Sequence, residues 1–285
     1  MPSLVAAPNV SEGRDPGVLD AVGHAFASAA TLLDRHADPD HHRAVYSLAG
    51  EPGQLAQALL AGARVAVARI DLNEPRGVHP HVGALDVVPL VYYDPALRGA
   101  ACAEALLAAQ LISDELDLPV FLYGLLAGGR TRAQLRGNGT VALGERIAAG
   151  ELRPDFGPRR LHPTAGATLI AARPPLVAFN IELESPADLA SAKRIAAGIR
   201  DPGRIAAIGV TLASRGETAQ VSMNIEDPYG IRLADVVERI AAQAPIAAAE
   251  IVGLVPAVAL EGFPPQVELR GFDAARQVAE RALAH

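Results

Sequence analysis

The stretch from Gly77 to Pro89 concentrates side chains that can move protons. It carries His79 and His81 between two glycines, and Asp86 lies in the apolar run that follows. Because Pro80 follows His79, the backbone of His79 is restricted to extended conformations. A histidine titrates near neutral pH and can both accept and return a proton. His79 is therefore a candidate general acid/base on a constrained loop. The alternative is a histidine of a tight turn without a chemical role.

A second polar stretch, residues 34–43, contains side chains that could bind a metal ion. The pattern predicts a hairpin loop whose possible metal ligands are His36, Asp38, Asp40, His41 and His42. Imidazole and carboxylate groups are common zinc ligands. However, no zinc spacing such as H-E-x-x-H is present, and the Asp-Pro-Asp run is an ordinary turn sequence. We therefore predict acid/base chemistry without a metal and keep a metal site as the alternative.

Asp86 stands out because it interrupts an apolar strand. An unpaired buried charge is costly, so we expect Asp86 to face a cleft or to be paired, with a histidine as one candidate partner. The chain has no Gly-x-Ser-x-Gly elbow, no Walker loop and no Rossmann glycine fingerprint after a strand. Acyl hydrolase, kinase and dehydrogenase activities therefore have no support from motifs.

Composition narrows the class of protein. The chain has 285 residues, of which 50% are hydrophobic, and a net charge of −7. This length allows one large or two small domains, and the charge argues against nucleic acid as a partner. The single cysteine excludes a disulfide within the chain and fits a reducing cytoplasm. The N-terminus has no signal-peptide pattern, and no apolar run predicts a membrane span. We expect a soluble cytoplasmic protein.

The elements that position these residues follow one order twice. Strand, helix, strand, strand, helix, strand is predicted over residues 3–93 and again over residues 176–254. A helix at 95–116, a strand at 119–123 and a helix at 141–149 separate the two copies, and a last helix is predicted at 272–283. This order is typical of ferredoxin-like βαββαβ subdomains. The predicted fold is α/β (α+β), with two such subdomains, mixed or antiparallel sheets, and a cleft or tunnel between them.

A third polar stretch, residues 151–166, is rich in proline and glycine. A segment of this length without regular structure is usually functional or a linker.

In several places these residues resemble the glutamate formimidoyltransferase family. The resemblance is carried by Pro8–Arg14, Asp38–Arg43, Gly77–Pro89, Leu122–Gly124, Pro154–Pro158, Gly166–Thr168, Ala178–Ile181 and Val252–Pro256. It implies two α/β subdomains flanking a substrate tunnel, with residues 1–174 as the N-terminal and 175–285 as the C-terminal subdomain. It also implies transfer of a formimidoyl group from N-formimidoyl-L-glutamate to tetrahydrofolate as co-substrate, by a homodimer. The cyclodeaminase domain of the animal enzymes is expected to be absent.

The resemblance also assigns residues. The catalytic histidine falls on His79, and the folate-binding loop comprises Gly157, Pro158, Arg159, Arg160, Leu161, His162, Pro163, Thr164, Ala165 and Gly166. Arg159, Arg160 and His162 are candidates to meet the carboxylates of folate. The cationic amidine of the donor would be held by Asp38, Asp40 or Asp86. Arg43, with Arg14, Arg159 and Arg160, is a candidate for the carboxylates of glutamate.

Four positions depart from the family pattern near the predicted site. Val78 stands where the family usually has an acid, His81 where it has an arginine, His36 where the hairpin loop often has an acid, and Ala165 where the folate loop often has an aromatic residue. A different formimidoylated amine is therefore an alternative donor. The sequence also leaves open a metal-dependent amidine or amide hydrolase, and a folate-binding module without turnover.

Overall fold

A computed structural model describes residues 4–74 and 77–284. The chain forms two compact units, Met1–Pro174 and Pro175–His285, each with its own apolar core. Both units combine helices with a β-sheet, which confirms the predicted α/β class with two sheets. The assignment of the two units to family subdomains stays a prediction.

The first unit is built on a mixed sheet. Its elements are β1 (Leu4–Ala6), β2 (Asn9–Val10), α1 (Pro16–Phe26), β3 (Thr31–Asp38), β4 (Arg43–Gly50), α2 (Gln54–Arg69), β5 (Leu85–Val91), α3 (Arg98–Leu116), β6 (Val120–Leu122), α4 (Arg132–Arg136), α5 (Thr140–Ala148) and β7 (Thr168–Arg173). β1 and β2 both lie between β4 and β5 and pair with each of them antiparallel, and β3 pairs with the other edge of β4. β7 then joins β5 in parallel, and β6 joins β7 in parallel.

The second unit is a four-stranded antiparallel sheet with helices. Its elements are β8 (Val177–Leu183), α6 (Leu189–Ile199), β9 (Ile205–Leu212), β10 (Thr218–Ile225), α7 (Leu233–Ala241), β11 (Ile246–Val252), α8 (Ala274–Gln277) and α9 (Ala279–Ala282). The strand order β11-β8-β10-β9 places the first strand of the unit between its fourth and its third. The first four-strand portion of the other unit has the same order. The doubled ferredoxin-like pattern read from the sequence is therefore present.

Local signals explain where the helices begin. Asp15 caps α1 by accepting hydrogen bonds from Gly17 and Val18, and Pro16 occupies the first turn. Phe26 of α1 packs edge-on against Tyr46 of β4, with ring centroids 5.2 Å apart. The start of α2 has no cap of its own. Its amide groups instead donate to Glu104, a buried carboxylate of α3.

Among the described residues, one helical stretch, Pro95–Leu116, is long and apolar enough to cross a membrane by length and composition alone. This is weak evidence for a membrane span, because an apolar core helix meets the same criteria. Five side chains of this stretch lie buried in the core of the first unit: Ala101, Ala105, Ala108, Ala109 and Ile112.

Three sequence-based expectations about the elements are wrong in part. β3 continues to Asp38, so the connection to β4 is much shorter than the predicted loop 34–43, because pairing with β4 overrides the polar composition. The predicted helix 272–283 is split, since Val278 is extended and bridges to Val255. The sequence pattern does not predict the strand β7. Its place between β5 and β6 buries both faces and removes the alternation that marks a strand.

Candidate active site

Nδ1 of the His79 side chain has two polar neighbours. This nitrogen lies 2.7 Å from the carbonyl oxygen of Pro80 and 3.2 Å from Nη1 of Arg43. The carbonyl oxygen can only accept and is the closer neighbour, whereas the Arg43 guanidinium can only donate, so the shorter contact favours the proton on Nδ1. We therefore assign the proton to Nδ1 from this geometry. The lone pair of the neutral ring is then on Nε2, which is the form a general base requires.

The surroundings of His79 favour the neutral ring. Burial lowers the pKa of His79 well below the usual 6.5, and the positive charges of Arg43 and Arg136 lower it further. Asp86 opposes this shift, and His41, whose ring centroid is 5.9 Å from that of His79, adds to it. His79 is therefore unprotonated at neutral pH.

Asp86 is the buried centre of an ion cluster formed with Arg43 and Arg136. Its Oδ1 accepts a hydrogen bond from the Val82 amide at 2.8 Å. Its Oδ2 accepts from Arg43 at 2.7 Å and from Arg136 at 2.6 Å. Burial alone would raise the pKa of Asp86, but the two arginines outweigh burial and hold it well below its usual range. Asp86 is thus paired, as expected, although its partners are arginines rather than a histidine.

This pairing corrects one predicted role. No part of the Asp86 side chain is exposed, and both of its oxygens already accept charge-assisted or backbone hydrogen bonds. Asp86 is therefore unsuited to hold the cation of a ligand directly. Its geometry instead makes it a positioning residue for Arg43 and Arg136.

Arg43 joins three strands of the site. It begins β4, donates through Nε to Asn9 of β2 at 2.8 Å, and donates through Nη1 to Asp86 of β5. Burial lowers the pKa of Arg43 to about 10, while Asp86 favours the charged form. The guanidinium therefore stays charged at neutral pH and keeps a fixed position beside His79.

The turn between β3 and β4 contacts the His79 segment through backbone atoms. Oδ1 of Asp38 accepts from the amides of Asp40 and His41, which closes the turn. The carbonyl oxygen of Asp40 accepts from the Val78 amide at 3.0 Å. Gly77 lies against this same carbonyl group, so any side chain at Gly77 would collide with backbone. Asp38 and Asp40 thus lie next to the His79 segment, and their predicted role in holding the amidine stays a prediction.

The clustered histidines do not form a metal site in the described part of the chain. Nδ1 of His42 accepts from the Gly13 amide at 3.0 Å and lies 3.3 Å from Glu12. Across residues 4–74 and 77–284, no group of three or more His, Cys, Asp or Glu side chains is arranged to hold a metal ion. The absence of a metal from the reaction stays a prediction.

The loop 157–166 lies within the first unit, between α5 and β7, and is not a linker between the two units. Its end is bonded to both sides of the His79 segment. The Leu72 amide donates to the carbonyl oxygen of Thr164 at 2.8 Å, and the Ala84 amide donates to that of Ala165 at 2.9 Å. Gly166 has a φ of 69° and lies against the Val82 carbonyl group, where a side chain would collide.

The polar side chains of this loop have different surroundings. Nδ1 of His162 accepts from the Ala165 amide at 3.0 Å, so the ring holds the turn together. Arg160 is exposed and forms an ion pair with Asp117 of α3. Arg159 is exposed as well, and Gly157 packs against Ser113 of α3. The remaining predicted loop residues are Pro158, Leu161 and Pro163, of which Leu161 packs on the apolar cluster beneath α5.

Sequence reasoning missed Arg136, which completes the ion cluster. The sequence pattern predicts only a loop of glycines and arginines between the strand 119–123 and the helix 141–149, yet the structure contains α4 there. The available signal was the capping box, in which Thr131 and Gln134 bond reciprocally at the helix start. With that helix recognised, Arg132 and Arg136 would fall four residues apart on one face.

Together, the fold and the site define an α/β protein with a neutral histidine beside a buried arginine–aspartate cluster. The family model described as "Formiminotransferase domain, N-terminal subdomain" matches residues 3–173. The chain is 33% identical to the glutamate formimidoyltransferase of Streptococcus pyogenes, over 97% of each chain. It is 31% identical to that of Thermoplasma acidophilum, over 93% of this chain and 92% of the relative.

The chain therefore belongs to the formiminotransferase family, as the sequence predicted. It is also 36% identical to the formimidoyltransferase-cyclodeaminase of Rattus norvegicus over 89% of this chain. That match covers 50% of the rat protein, so the chain spans about half the length of the animal relatives it matches.

Proposed function

We propose that this protein transfers a formimidoyl group from N-formimidoyl-L-glutamate to N5 of tetrahydrofolate, giving 5-formimidoyltetrahydrofolate and L-glutamate. The observation that carries the proposal is His79, held as a neutral ring with Nε2 available, between Pro80 and Arg43. The full-length similarity to relatives named glutamate formimidoyltransferase supports the same reaction. Tetrahydrofolate enters as the co-substrate of that reaction.

In the proposed mechanism, N5 of tetrahydrofolate attacks the amidine carbon of the donor. His79 accepts the N5 proton at Nε2 and returns it to the amine nitrogen of glutamate as the old carbon–nitrogen bond breaks. General acid/base help of this kind contributes about 10²–10⁴-fold. Holding both substrates together contributes more, since it makes the reaction effectively unimolecular.

We assign the predicted binding residues to two substrates. Asp38 and Asp40 are candidates to hold the amidine cation, because their turn is bonded to the Val78 amide. The loop Gly157–Gly166 is the candidate folate site, since its hydrogen bonds fix it beside the His79 segment. Arg159 and Arg160 would then meet the folate tail, while His162 shapes the loop.

The direct test is turnover. The purified chain is mixed with tetrahydrofolate and N-formimidoyl-L-glutamate, and release of glutamate and formation of the folate product are measured. We expect both to appear in equal amounts. Glutamate released without folate product would favour hydrolysis instead, and activity that chelator removes and zinc restores would favour the metal-dependent hydrolase. Binding of folate without any turnover would favour a binding module.

A second donor is favoured by one observation. Val78 is 48% exposed beside His79, at a position where the family pattern has an acid, and His81 replaces an arginine. A panel of formimidoylated amines, including formimidoylglycine and formimidoyl-aspartate, tests this alternative. We expect N-formimidoyl-L-glutamate to have the highest kcat/KM. A higher value for another amine would assign that amine as the donor.

The remaining predictions concern the state of the protein. We infer a cytoplasmic homodimer from the family resemblance. Light scattering of the purified chain measures the oligomeric state, and a monomer mass would contradict it.

A further inference from the structure

A second cationic cluster lies at the carboxyl edge of the parallel strands β5, β7 and β6. Tyr123 directly follows β6, and Arg173 ends β7. Arg132, the first residue of α4, places its guanidinium carbon 5.8 Å from the centre of the Tyr123 ring. Ligands of open α/β sheets commonly bind outside the carboxyl ends of parallel strands. Tyr123 lies in the stretch Leu122–Gly124 that carries the family resemblance, but the sequence pattern assigns no role to it and singles out neither arginine.

Two polar groups of this cluster make no hydrogen bond of good geometry. Nε of Arg173 and the hydroxyl group of Tyr123 are buried without such a bond among residues 4–74 and 77–284, although the two side chains are close enough to interact with each other. Burial lowers the pKa of Arg173; Tyr123 opposes this shift, and the charge of Arg132 adds to it. Nη1 of Arg173 donates to the carbonyl oxygen of Pro174 at 2.9 Å. Within the same described ranges, no carboxylate forms an ion pair with Arg132 or Arg173. A buried cation without a counter-ion is costly.

Three neighbouring arginines do have acceptors or counter-ions within the first unit. Arg130 donates to the carbonyl oxygen of Leu122 and pairs with Asp155. Arg146 donates to two carbonyl oxygens of the α4 segment, and Arg136 pairs with Asp86. The buried Nε of Arg136 also has no acceptor, but Arg136 has Asp86 as its counter-ion, whereas no carboxylate pairs with Arg132 or Arg173 among residues 4–74 and 77–284.

The cluster is connected to the His79 site through α4. Arg132 and Arg136 are four residues apart, so their side chains lie on one face of the helix about 6 Å from each other. Arg136 contacts Asp86, which in turn holds Arg43 beside His79. Arg132 is also close enough to Arg43 to lower its pKa, although burial has the largest effect.

We propose that Arg132, Arg173 and the Tyr123 hydroxyl group bind an alkyl carboxylate of a substrate whose reacting group lies at His79. The inference rests on the proposed function, in which both the donor and the tail of the folate carry such carboxylates. One carboxylate can accept from the Arg173 Nε, from the Arg132 guanidinium and from the tyrosine hydroxyl group at the same time. It would supply the acceptors and the negative charge that this cluster lacks.

Steady-state kinetics with three variants test the proposal. Arg132→Gln and Arg173→Gln each remove one cation, and Tyr123→Phe removes one hydroxyl group with little change of shape. We expect KM for one substrate to rise about 10- to 100-fold in the arginine variants and about 2- to 10-fold in Y123F. The control is Arg204→Gln, an exposed arginine of the second unit that pairs with Asp227.

The two sources of the carboxylate give different results. A higher KM for the donor with an unchanged KM for tetrahydrofolate assigns the cluster to the donor. A higher KM for tetrahydrofolate that disappears with tetrahydropteroate, which lacks the glutamate tail, assigns it to the folate. Unchanged values for both substrates, within twofold, in Y123F and in a folded arginine variant would overturn the inference.

Direct binding separates this inference from the proposed function. If the wild-type protein shows no transfer, the proposed function fails, and calorimetry with L-glutamate and with tetrahydrofolate then decides the carboxylate site. Weaker binding of either compound to Y123F and R132Q than to the wild type supports the site. Equal binding, or no binding of either compound to the wild type, rejects it.

Discussion

The two units share one strand order but bury different sets of charges. In the first unit, a single carboxylate, Asp86, is held by two arginines next to a neutral histidine. In the second unit, Glu182 of β8 and Glu250 of β11 are both buried. The first cluster therefore has an excess of cations, whereas the second has an arginine for each of its acids.

The partners of the second cluster show why it differs. Arg215 pairs with both glutamates, and Arg270 pairs with Glu182. Both arginine side chains are partly exposed, at 30% and 41%, whereas Arg43 and Arg136 of the first cluster are exposed at only 11% and 13%. The same strand order thus carries a buried arginine–aspartate cluster beside a histidine in one copy and two glutamates balanced by two arginines in the other. Function follows the site, not the fold.

The largest expected effect is on catalysis in the first unit. His79→Ala removes the proton acceptor, so we expect kcat to fall about 10²–10⁴-fold while folate binding is retained. Quenched-flow or steady-state assays of product formation measure this loss. His81→Ala is the matched control in the same segment and should lose far less. A kcat for H79A within threefold of the wild-type value would remove His79 from the mechanism.

The next comparison concerns stability. Asp86→Asn leaves two arginines buried without a charge partner, so we expect the free energy of unfolding to fall by about 3–5 kcal/mol. Glu182→Gln in the second unit should cost about 1 kcal/mol, because its arginines are partly hydrated. Urea denaturation followed by circular dichroism measures both variants. Equal losses would mean that the two clusters are energetically alike.

The lowered pKa of Asp86 also makes its contribution to the free energy of unfolding depend on pH. Since its folded-state pKa lies below the unfolded value of about 3.9, Asp86 contributes stability that is present above that pH. The contribution is lost as pH falls from there through the lower folded-state value. The stability difference between D86N and the wild type should therefore shrink in acid.

The pH profile of activity tests the charges that face His79. These groups are Arg43, Arg136, Asp86 and His41. Burial, the two arginines and His41 hold the pKa of His79 well below 6.5, and Asp86 opposes this shift. Protonation removes the base, so kcat/KM should decline only at pH values below that. Arg136→Gln removes one positive charge and should move this acid limb to higher pH. Arg204→Gln should leave it in place, and an unmoved limb in R136Q would separate Arg136 from His79.

The fold could be predicted from the sequence wherever short-range patterns decide it. The doubled strand and helix order follows from periodicity, and its strand order is confirmed in both units. β7 could not be predicted, because a strand buried on both faces has no alternation. The final helix is broken at Val278 because of a distant bridge to Val255, which no local pattern records.

For the candidate site, too, contacts between residues far apart in the sequence could not be predicted. His79, Asp86 and Arg43 stand out because their residue types are unusual where they occur in the sequence. Arg136 does not, because its contact with Asp86 spans 50 residues and depends on α4 packing over the sheet. The arginine partners of Asp86 therefore required the three-dimensional structure.

The smallest expected effect concerns the exposed arginines of the loop 157–166. Arg159 and Arg160 lie at the surface, and Arg160 already pairs with Asp117, so each contributes little in water. Replacing both with alanine should weaken tetrahydrofolate binding about two- to fivefold, and polyglutamylated folate more, with little change in Tm. The effect should shrink as salt rises, because exposed charges are screened. Calorimetry at low and high salt measures it, with Arg64→Ala combined with Arg232→Ala as the control for loss of two exposed, paired arginines. If both double variants bind folate as tightly as the wild type at low salt, Arg159 and Arg160 do not contact the tail. The cation excess beside His79 would then become the candidate for attracting it.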